Sequence, residues 1–120
     1  MASYRVDKVE QLIKEQISSI ILHKLSNLQL GFITVTNVKV SADLKIAKIY
    51  LSVLEKEKRH FVLDKLNYNV GQIRTELAHR ISVKFVPELK FFIDETLDYV
   101  EKIEELLNEI HKQNDRQSNK

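Results

Sequence analysis

Apolar residues recur along the chain with two different periods, and the switches between them predict the order of helices and strands. An apolar stripe with i, i+3 and i+4 spacing runs from Val6 to Leu25 and predicts a first amphipathic helix, with Ser3 as its N-cap. Residues 31–40 then alternate as a strand does, and a change of phase near Asn37 predicts a β-bulge. The chain therefore begins with a helix that is followed by a strand.

A second strand is predicted after the polar turn residues 41–43. Apolar and polar positions alternate over residues 44–53, which is typical of a strand with one buried face. We expect residues 31–53 to form an antiparallel hairpin with one face packed and the other partly exposed to water. The residues predicted to face the core are Ala47, Ile49, Leu51 and Val53.

Two helical stripes meet at Gly71, the first beginning near His60. A glycine inside a helix costs about 0.5–1 kcal/mol relative to alanine, so Asn69–Gly71 predicts a kink between two helices. A helix that begins just after Gly71 would point free backbone N–H groups outward, where they could hold a phosphate. The alternative is that Gly71 only lets two helices pack closely, and the local sequence favours this second interpretation.

The remaining elements follow the single proline. The residue before Pro87 is pushed toward extended geometry, which ends the helical pattern, and the alternation over 89–93 predicts a third strand. Asp94 is predicted to cap a last helix over 95–110. Residues 111–120 are polar and without period, which predicts a disordered tail. The apolar side of the last helix carries Leu97, Val100, Ile103, Leu107 and Ile110.

The predicted order is α-β-β-α-kink-α-β, followed by a C-terminal helix. This order is typical of an α+β domain with helices on one face of a three-stranded sheet. We expect residues 1–94 to form the domain, and the helix over 95–110 to pack on it or extend from it. Residues 111–120 would be the tail.

The charge of the chain is segregated along the sequence. Residues 1–93 carry 15 Lys/Arg against 9 Asp/Glu, a balance of +6, whereas residues 94–110 carry one Lys against seven acids, a balance of −6. The last ten residues restore the net charge of +2. A basic body beside an acidic helix is compatible with nucleic-acid binding on a restricted face, although ordinary soluble domains also show such patterns.

Composition and motifs argue against several classes of protein. The 120 residues, 43% apolar and 30% charged, fit one soluble domain, and no apolar run approaches the roughly 18–20 residues of a membrane span. The start lacks a signal-peptide block, and the absence of cysteine suits a reducing cytoplasm. The four histidines are far apart, and no P-loop, G-x-G-x-x-G or G-x-S-x-G motif is present. We therefore expect no enzyme activity, metal, cofactor or small-molecule substrate.

Two long stretches carry a resemblance to a known family. They read VTNVKVSADLKIAKIYLSV at 35–53 and NVGQIRTELAHRISVKFVPELKFFIDET at 69–96. The element order resembles the type II KH domain, an RNA-binding fold, and the two stretches are similar to the ribosome-binding factor A family. The resemblance implies a cytoplasmic monomer that binds immature small ribosomal subunits and their 16S rRNA. It also implies help in late rRNA processing, notably in the cold, and no catalysis.

The resemblance places the kink at the centre of the expected RNA site. An Ala-x-Gly kink replaces the GXXG loop of KH domains in that family, and here Asn69-Val70-Gly71 stands at this position, so the glycine matches and the alanine does not. Each lysine candidate could equally be a solubilising surface charge. The candidate RNA contacts are Asn69, Gly71, Arg74, Arg80 and Lys84, with Lys39, Lys45 and Lys48 as weaker candidates.

Two other functions remain open from the sequence. The chain could be a generic KH-like RNA-binding or protein-docking module that acts through its acidic C-terminal helix. An esterase- or nuclease-like enzyme would need a buried perturbed acid or a metal cluster, which the sequence does not display. The charge of the last helix further suggests that it is weakly attached and reduces RNA binding by electrostatic repulsion.

Overall fold

The computed structural model describes residues 2–83 and 85–118. Two short 3₁₀ turns, at Ser26–Leu28 and Lys56–Lys58, join the longer elements. The predicted order of helices and strands is confirmed. The elements are α1 (Ala2–Lys24), β1 (Ile33–Val40), β2 (Ile46–Val53), α2 (Arg59–Tyr68), α3 (Val70–Arg80), β3 (Glu88–Ile93) and α4 (Thr96–Ser118).

The three strands form one mixed sheet in the order β1-β2-β3. β1 pairs antiparallel with β2, as the predicted hairpin requires, and β2 pairs parallel with β3 through the α2–α3 crossover. Ile49 lies at the centre, opposite Val38 on one side and Phe91 on the other. The register shifts between Val35 and Asn37, so the predicted β-bulge is confirmed.

One face of the sheet packs against α1, α2 and α3, and the core lies between them. The predicted inward residues of β2 are all buried, and the apolar stripes of the three helices meet them. Each fully buried Leu, Ile or Val stabilises the fold by about 1.5–3 kcal/mol relative to an exposed one. The helix residues with no exposed surface are Ile13, Ile17, Val62, Leu66, Ile73 and Leu77.

Three element boundaries differ from the predicted ones. Ser3 lies inside α1, which starts at Ala2, so it is not the N-cap. The break between α2 and α3 falls at Asn69, and Gly71 already belongs to α3. The tail predicted to be disordered is helical as far as Ser118, while 119–120 lie outside the described residues. Lys and Gln are good helix formers, so a helix that has already nucleated continues through this segment without an apolar stripe.

The last helix extends away from the domain. Asp94 receives a hydrogen bond from the Thr96 N–H at 2.9 Å, which caps α4 as predicted. The Arg59 guanidinium contacts Asp98 at 2.8 Å and 3.0 Å, and this ion pair anchors the first turns of α4. The apolar side chains of α4 are left between 44% and 67% exposed. Among the described residues, no helix combines the length and the hydropathy that crossing a membrane would need.

Candidate nucleic-acid interface

The kink between α2 and α3 is one residue long. The Asn69 N–H and its side-chain Nδ2 both donate to the Lys65 carbonyl, at 3.1 Å and 2.8 Å, which closes α2. The Asn69 carbonyl accepts from the Ile73 N–H at 3.0 Å and so opens α3. With φ at −98°, Asn69 does not use a left-handed conformation. The kink geometry therefore depends on an asparagine amide that bonds the end of a helix.

Gly71 is exposed in the first turn of α3. Its φ lies outside the positive region, and a Cβ added there would meet no atom within 4 Å. The interpretation that Gly71 lets two helices pack closely is therefore wrong. Since α3 begins before Gly71 rather than after it, the expected start of the helix is corrected by two residues. The prediction that this turn contacts a phosphate stays a prediction.

Arg74 connects α3 to the loop that enters β3. Its Nε donates to the Pro87 carbonyl at 3.2 Å, and its Nη2 donates to the Val86 carbonyl at 2.8 Å. The sequence made Arg74 a candidate RNA contact because it lies next to the kink, and the structure shows in addition that its guanidinium is held in place. Carbonyl groups do not neutralise a cation, and within residues 2–83 and 85–118 Arg74 forms no ion pair. Its charge is thus both fixed and available to an anion.

Arg74 lines a groove of about 730 Å³ between the first half of α1, the β1–β2 turn and the loop before β3. Ligand sites in proteins typically have volumes of about 300–1,000 Å³. An apolar floor with cations at its rim suits an unstacked base whose neighbouring phosphates meet the cations. The apolar lining residues are Val9, Leu12, Leu44, Val83, Phe85, Val86 and Pro87. The charged ones are Arg5, Lys8, Lys45 and Arg74, with Asp43 and Glu88.

The β1–β2 turn at this groove is stabilised by its own polar side chains. The Ser41 hydroxyl donates to the Asp43 carboxylate at 2.7 Å, and the Lys45 N–H donates to it at 3.1 Å. These two hydrogen bonds, the hydroxyl one first, hold the pKa of Asp43 below its ordinary value. Leu44 has a φ of +61°, which is uncommon for a bulky residue. The Asp43 carboxylate is therefore held in the turn, where the Lys45 charge also stabilises it without forming an ion pair.

The other predicted contacts lie apart from this groove. Arg80 is at the far end of α3, where it donates to Ser19 at 3.0 Å and to Glu76 at 3.3 Å, and so joins α1 to α3. Lys39 and Lys48 lie opposite each other on the sheet face that points away from the helices. Lys84 lies outside the described residues. Of the sequence-predicted residues that the structure describes, only Arg74 and Lys45 line the groove.

Sequence reasoning missed three cations that lie near these residues. Arg5 and Lys8 lie off the apolar stripe of the first helix, where the pattern predicts a solvated face, and only the fold brings them to the groove. Lys90 follows Leu89 in an alternating strand, so its outward direction could have been found from the sequence. In the described part of the chain, no three His, Asp or Glu side chains gather as a metal site would need.

Comparisons with a family model and with a known protein sequence both point to the same family. The chain matches the family model described as ribosome-binding factor A over residues 5–107. A ribosome-binding factor A from Thermodesulfovibrio yellowstonii is 44% identical over 108 residues, which cover 90% of this chain and 92% of that protein.

Two structural likenesses show that the fold is shared. The crystal structure of ribosome-binding factor A from Thermus thermophilus matches with a TM-score of 0.67 at 22% identity, covering 73% of this chain and 94% of that one. A homology model of the Thermus thermophilus protein was fitted into the cryo-EM map of a complex of 30S with ribosome-binding factor A. It matches with a TM-score of 0.61 at 22% identity, covering 69% of this chain and 88% of that one.

Proposed function

We propose that this chain, which belongs to the ribosome-binding factor A family, is a non-catalytic maturation factor of the small ribosomal subunit. It binds the immature 30S subunit in the cytoplasm as a monomer, contacts the precursor of 16S rRNA, and assists late rRNA processing, including in the cold. Family membership supports the ribosome as the partner. The Thermus thermophilus relative, a homology model of which was fitted into the map of a 30S complex, supports the small subunit.

The observation that carries RNA contact is the fixed Arg74 guanidinium at the rim of an apolar groove. Arg5 and Lys45 stand at the same rim, and like Arg74 they form no ion pair among the described residues. Three cations that form no ion pair within the described part of the chain favour a polyanion as the ligand, and phosphate contacts supply much of the affinity for RNA.

The groove also supports binding rather than catalysis. A general acid or base works best with a pKa near the working pH, and the pKa of Asp43 is shifted downward, away from neutrality. Its carboxylate is moreover occupied by Ser41 and by the backbone of the turn. These features support a non-catalytic role for the site.

Sedimentation of the full chain with purified immature and mature small subunits tests this function. We expect co-sedimentation with the immature particle, and an affinity that falls steeply as salt is raised. The slope of log K against log salt should be about −0.7 to −0.9 for each phosphate that the protein neutralises. If the chain sediments with neither particle, the proposed function is wrong. If it sediments with a flat salt dependence, binding does not depend on phosphate contacts.

A protein-docking role for α4 is the second candidate function. The observation that favours it is the apolar side of α4, which includes Leu97 and Ile103 at 61% and 55% exposure. Soluble monomers seldom expose a continuous apolar patch without a binding function. Competition separates the candidates: free rRNA should displace the chain from subunits in the RNA-binding case, and ribosomal proteins should displace it in the other.

A further inference from the structure

The sheet face that points away from the helices carries three lysines in register. Lys48 of β2 lies directly opposite Lys39 of β1 and opposite Lys90 of β3, and all three side chains are exposed. Since neighbouring strands are about 4.8 Å apart, the row spans about 10 Å of the sheet. None of the three forms an ion pair with any residue that the structure describes. The row is therefore a line of uncompensated positive charge.

This arrangement costs the fold stability. Like charges directly opposite each other on neighbouring strands are destabilising, and Lys48 has such a neighbour on both sides. No acid among the described residues forms an ion pair with a lysine of the row. Glu88 lies on the same face but opposite Ile46, and the Asp94 carboxylate is held by hydrogen bonds from Thr36 and the Thr96 N–H. An anion from outside the chain would relieve the repulsion.

An aromatic pair lies beside the lysine row. Tyr50 and Phe92 are partners two register positions further along, which makes them the next pair on this face of the sheet. Their rings stack with centroids 5.6 Å apart and planes at 27°. Phe92 is 39% exposed. On the other side of Tyr50, its register partner in β1 is Asn37. Cations beside exposed aromatic rings are the combination with which proteins hold unstacked bases and their phosphates.

We propose that this helix-free face binds single-stranded RNA. Lys39, Lys48 and Lys90 hold successive phosphates, and one unstacked base packs on the Tyr50–Phe92 pair. A duplex hides the faces of its bases, so only a single strand can use the aromatic pair. The lysine row shares no residue with the groove at Arg74. The RNA is identified as ribosomal only through the proposed function, on which that part of the inference rests.

Binding of a short labelled oligouridylate to the full chain tests the lysine row. Lys48→Gln should make the slope of log K against log salt shallower by about 0.7, the value for one phosphate contact on a single strand. The same variant should raise the Tm by about 1–5 °C, because it removes the repulsion in the row. Lys24→Gln, which removes an exposed lysine at the end of α1, is the matched control and should change neither quantity as much. Equal losses of affinity in both variants would overturn the proposal in favour of general charge attraction.

A second pair of variants tests the aromatic contact. Phe92→Leu keeps an apolar side chain on the sheet but removes the ring, and it should weaken oligouridylate binding about fivefold or more. Phe32→Leu, at a phenylalanine that is 72% exposed and outside this face, should leave the affinity unchanged. In the unmodified chain, backbone amide NMR signals of the three lysines should shift when the oligouridylate is added. No shift at these residues overturns the proposal, whatever the variants do.

The inference and the proposed function fail in different ways. An RNA duplex that binds as tightly as the single strand, with Phe92→Leu having no effect, would overturn the single-strand assignment. If Lys48→Gln and Phe92→Leu bind oligouridylate normally while the unmodified chain still sediments with small subunits, only the inference is wrong. If the unmodified chain sediments with no subunit, the proposed function is wrong and the oligonucleotide result stands alone.

Discussion

The backbone conformation explains one of the two glycines of the chain and does not explain the other. Gly31 has a φ of +79°, a left-handed conformation that side chains rarely adopt, so the backbone itself explains the glycine. Gly71 lies in a helix with no positive φ, and no atom lies within 4 Å of the position of its missing Cβ. The fold therefore does not require glycine at 71. A molecule that approaches the backbone of α3 from outside would require it.

The Gly71→Ala substitution should stabilise the protein by about 0.5–1 kcal/mol, because alanine loses less backbone entropy in a helix. Urea unfolding measures this, and Gly31→Ala is the matched control, for which the left-handed backbone predicts a loss of about 1 kcal/mol or more. If Gly71→Ala stabilises the fold but weakens binding to small subunits, the glycine serves the interface. A destabilised Gly71→Ala variant would show that the fold needs this glycine.

The hydrogen-bond partners of the long cationic side chains were the part of the site that the sequence predicted least well. The helical period placed Arg74 near the kink, but its acceptors are carbonyls of Val86 and Pro87, in a loop that has no period. Arg80, a candidate on the same grounds, reaches across to α1 instead. A hydrophobic pattern tells which face of a helix a residue occupies, and it does not tell which group a long side chain meets. For this reason the sequence named Arg74 and Lys45 but did not predict the groove that they line, and the kink residues Asn69 and Gly71 lie outside it.

At the scale of elements, the prediction succeeded where burial decides the outcome. The stripes of α1 and α3 and the alternation of β2 predicted the buried residues because these positions have no other way to leave water. The β-bulge at Asn37 could be predicted from the change of phase in the alternating pattern. The lysine row could not be predicted, because cross-strand register depends on the bulge and on the β1–β2 turn together. Helix ends were also missed, since ends depend on local hydrogen bonds rather than on the stripe.

α4 is attached to the domain by charged groups rather than by its apolar stripe. Arg59 binds Asp98 through two hydrogen bonds, and Lys56 contacts Glu101 at 3.1 Å and Asp98 at 3.4 Å. The hydrogen bond from Arg59 is the main reason why the pKa of Asp98 lies below its ordinary value of 3.8. Exposed ion pairs are individually weak, so this attachment should respond to pH and salt.

Acid should detach α4. A carboxyl whose pKa is lowered in the folded state stabilises that state above its unfolded pKa, and this contribution is lost as the pH falls through the folded value. For Asp98 the attachment is therefore complete at neutral pH and is lost as the pH falls below 3.8. Hydrogen exchange of the α4 amides measures it. Asp98→Asn should show the acid behaviour already at pH 7, whereas Glu105→Gln, further along the exposed helix, should behave like the unmodified chain. If the protection of the α4 amides against exchange is unchanged by acid and by Asp98→Asn, the ion pair with Arg59 does not anchor α4.

At the scale of the whole molecule, the basic residues lie mainly in the domain and the acidic residues are concentrated in the helix that extends from it. The described residues measure 69 × 40 × 18 Å, and α4, which extends from the domain, carries most of the acidic residues of the second half of the chain. Residues 1–94 keep 15 Lys/Arg against 10 Asp/Glu. RNA that approaches the basic domain therefore also meets the field of an acidic helix. At about 0.1 M salt that field reaches roughly 10 Å, so it acts on nearby phosphates.

Deleting residues 95–120 should leave a folded domain that binds RNA more tightly at low salt. The buried core ends at Phe91, and none of the side chains described for α4 belongs to it, so the truncated chain should melt as a cooperative unit. The gain in oligouridylate affinity should shrink toward zero near 1 M salt, where charges are screened within about 3 Å.

A charge-only variant separates repulsion from the loss of the helix itself. The variant with Glu104→Gln, Glu105→Gln and Glu109→Gln keeps α4 and removes three exposed carboxylates, so it should reproduce part of the gain from truncation. Truncation that causes aggregation or unfolding would show that α4 belongs to the stable fold. A truncated chain that stays folded but no longer binds small subunits would instead support docking through α4. Either result would contradict the prediction that α4 weakens RNA binding by electrostatic repulsion, because removing such a helix should leave a folded domain that binds more tightly.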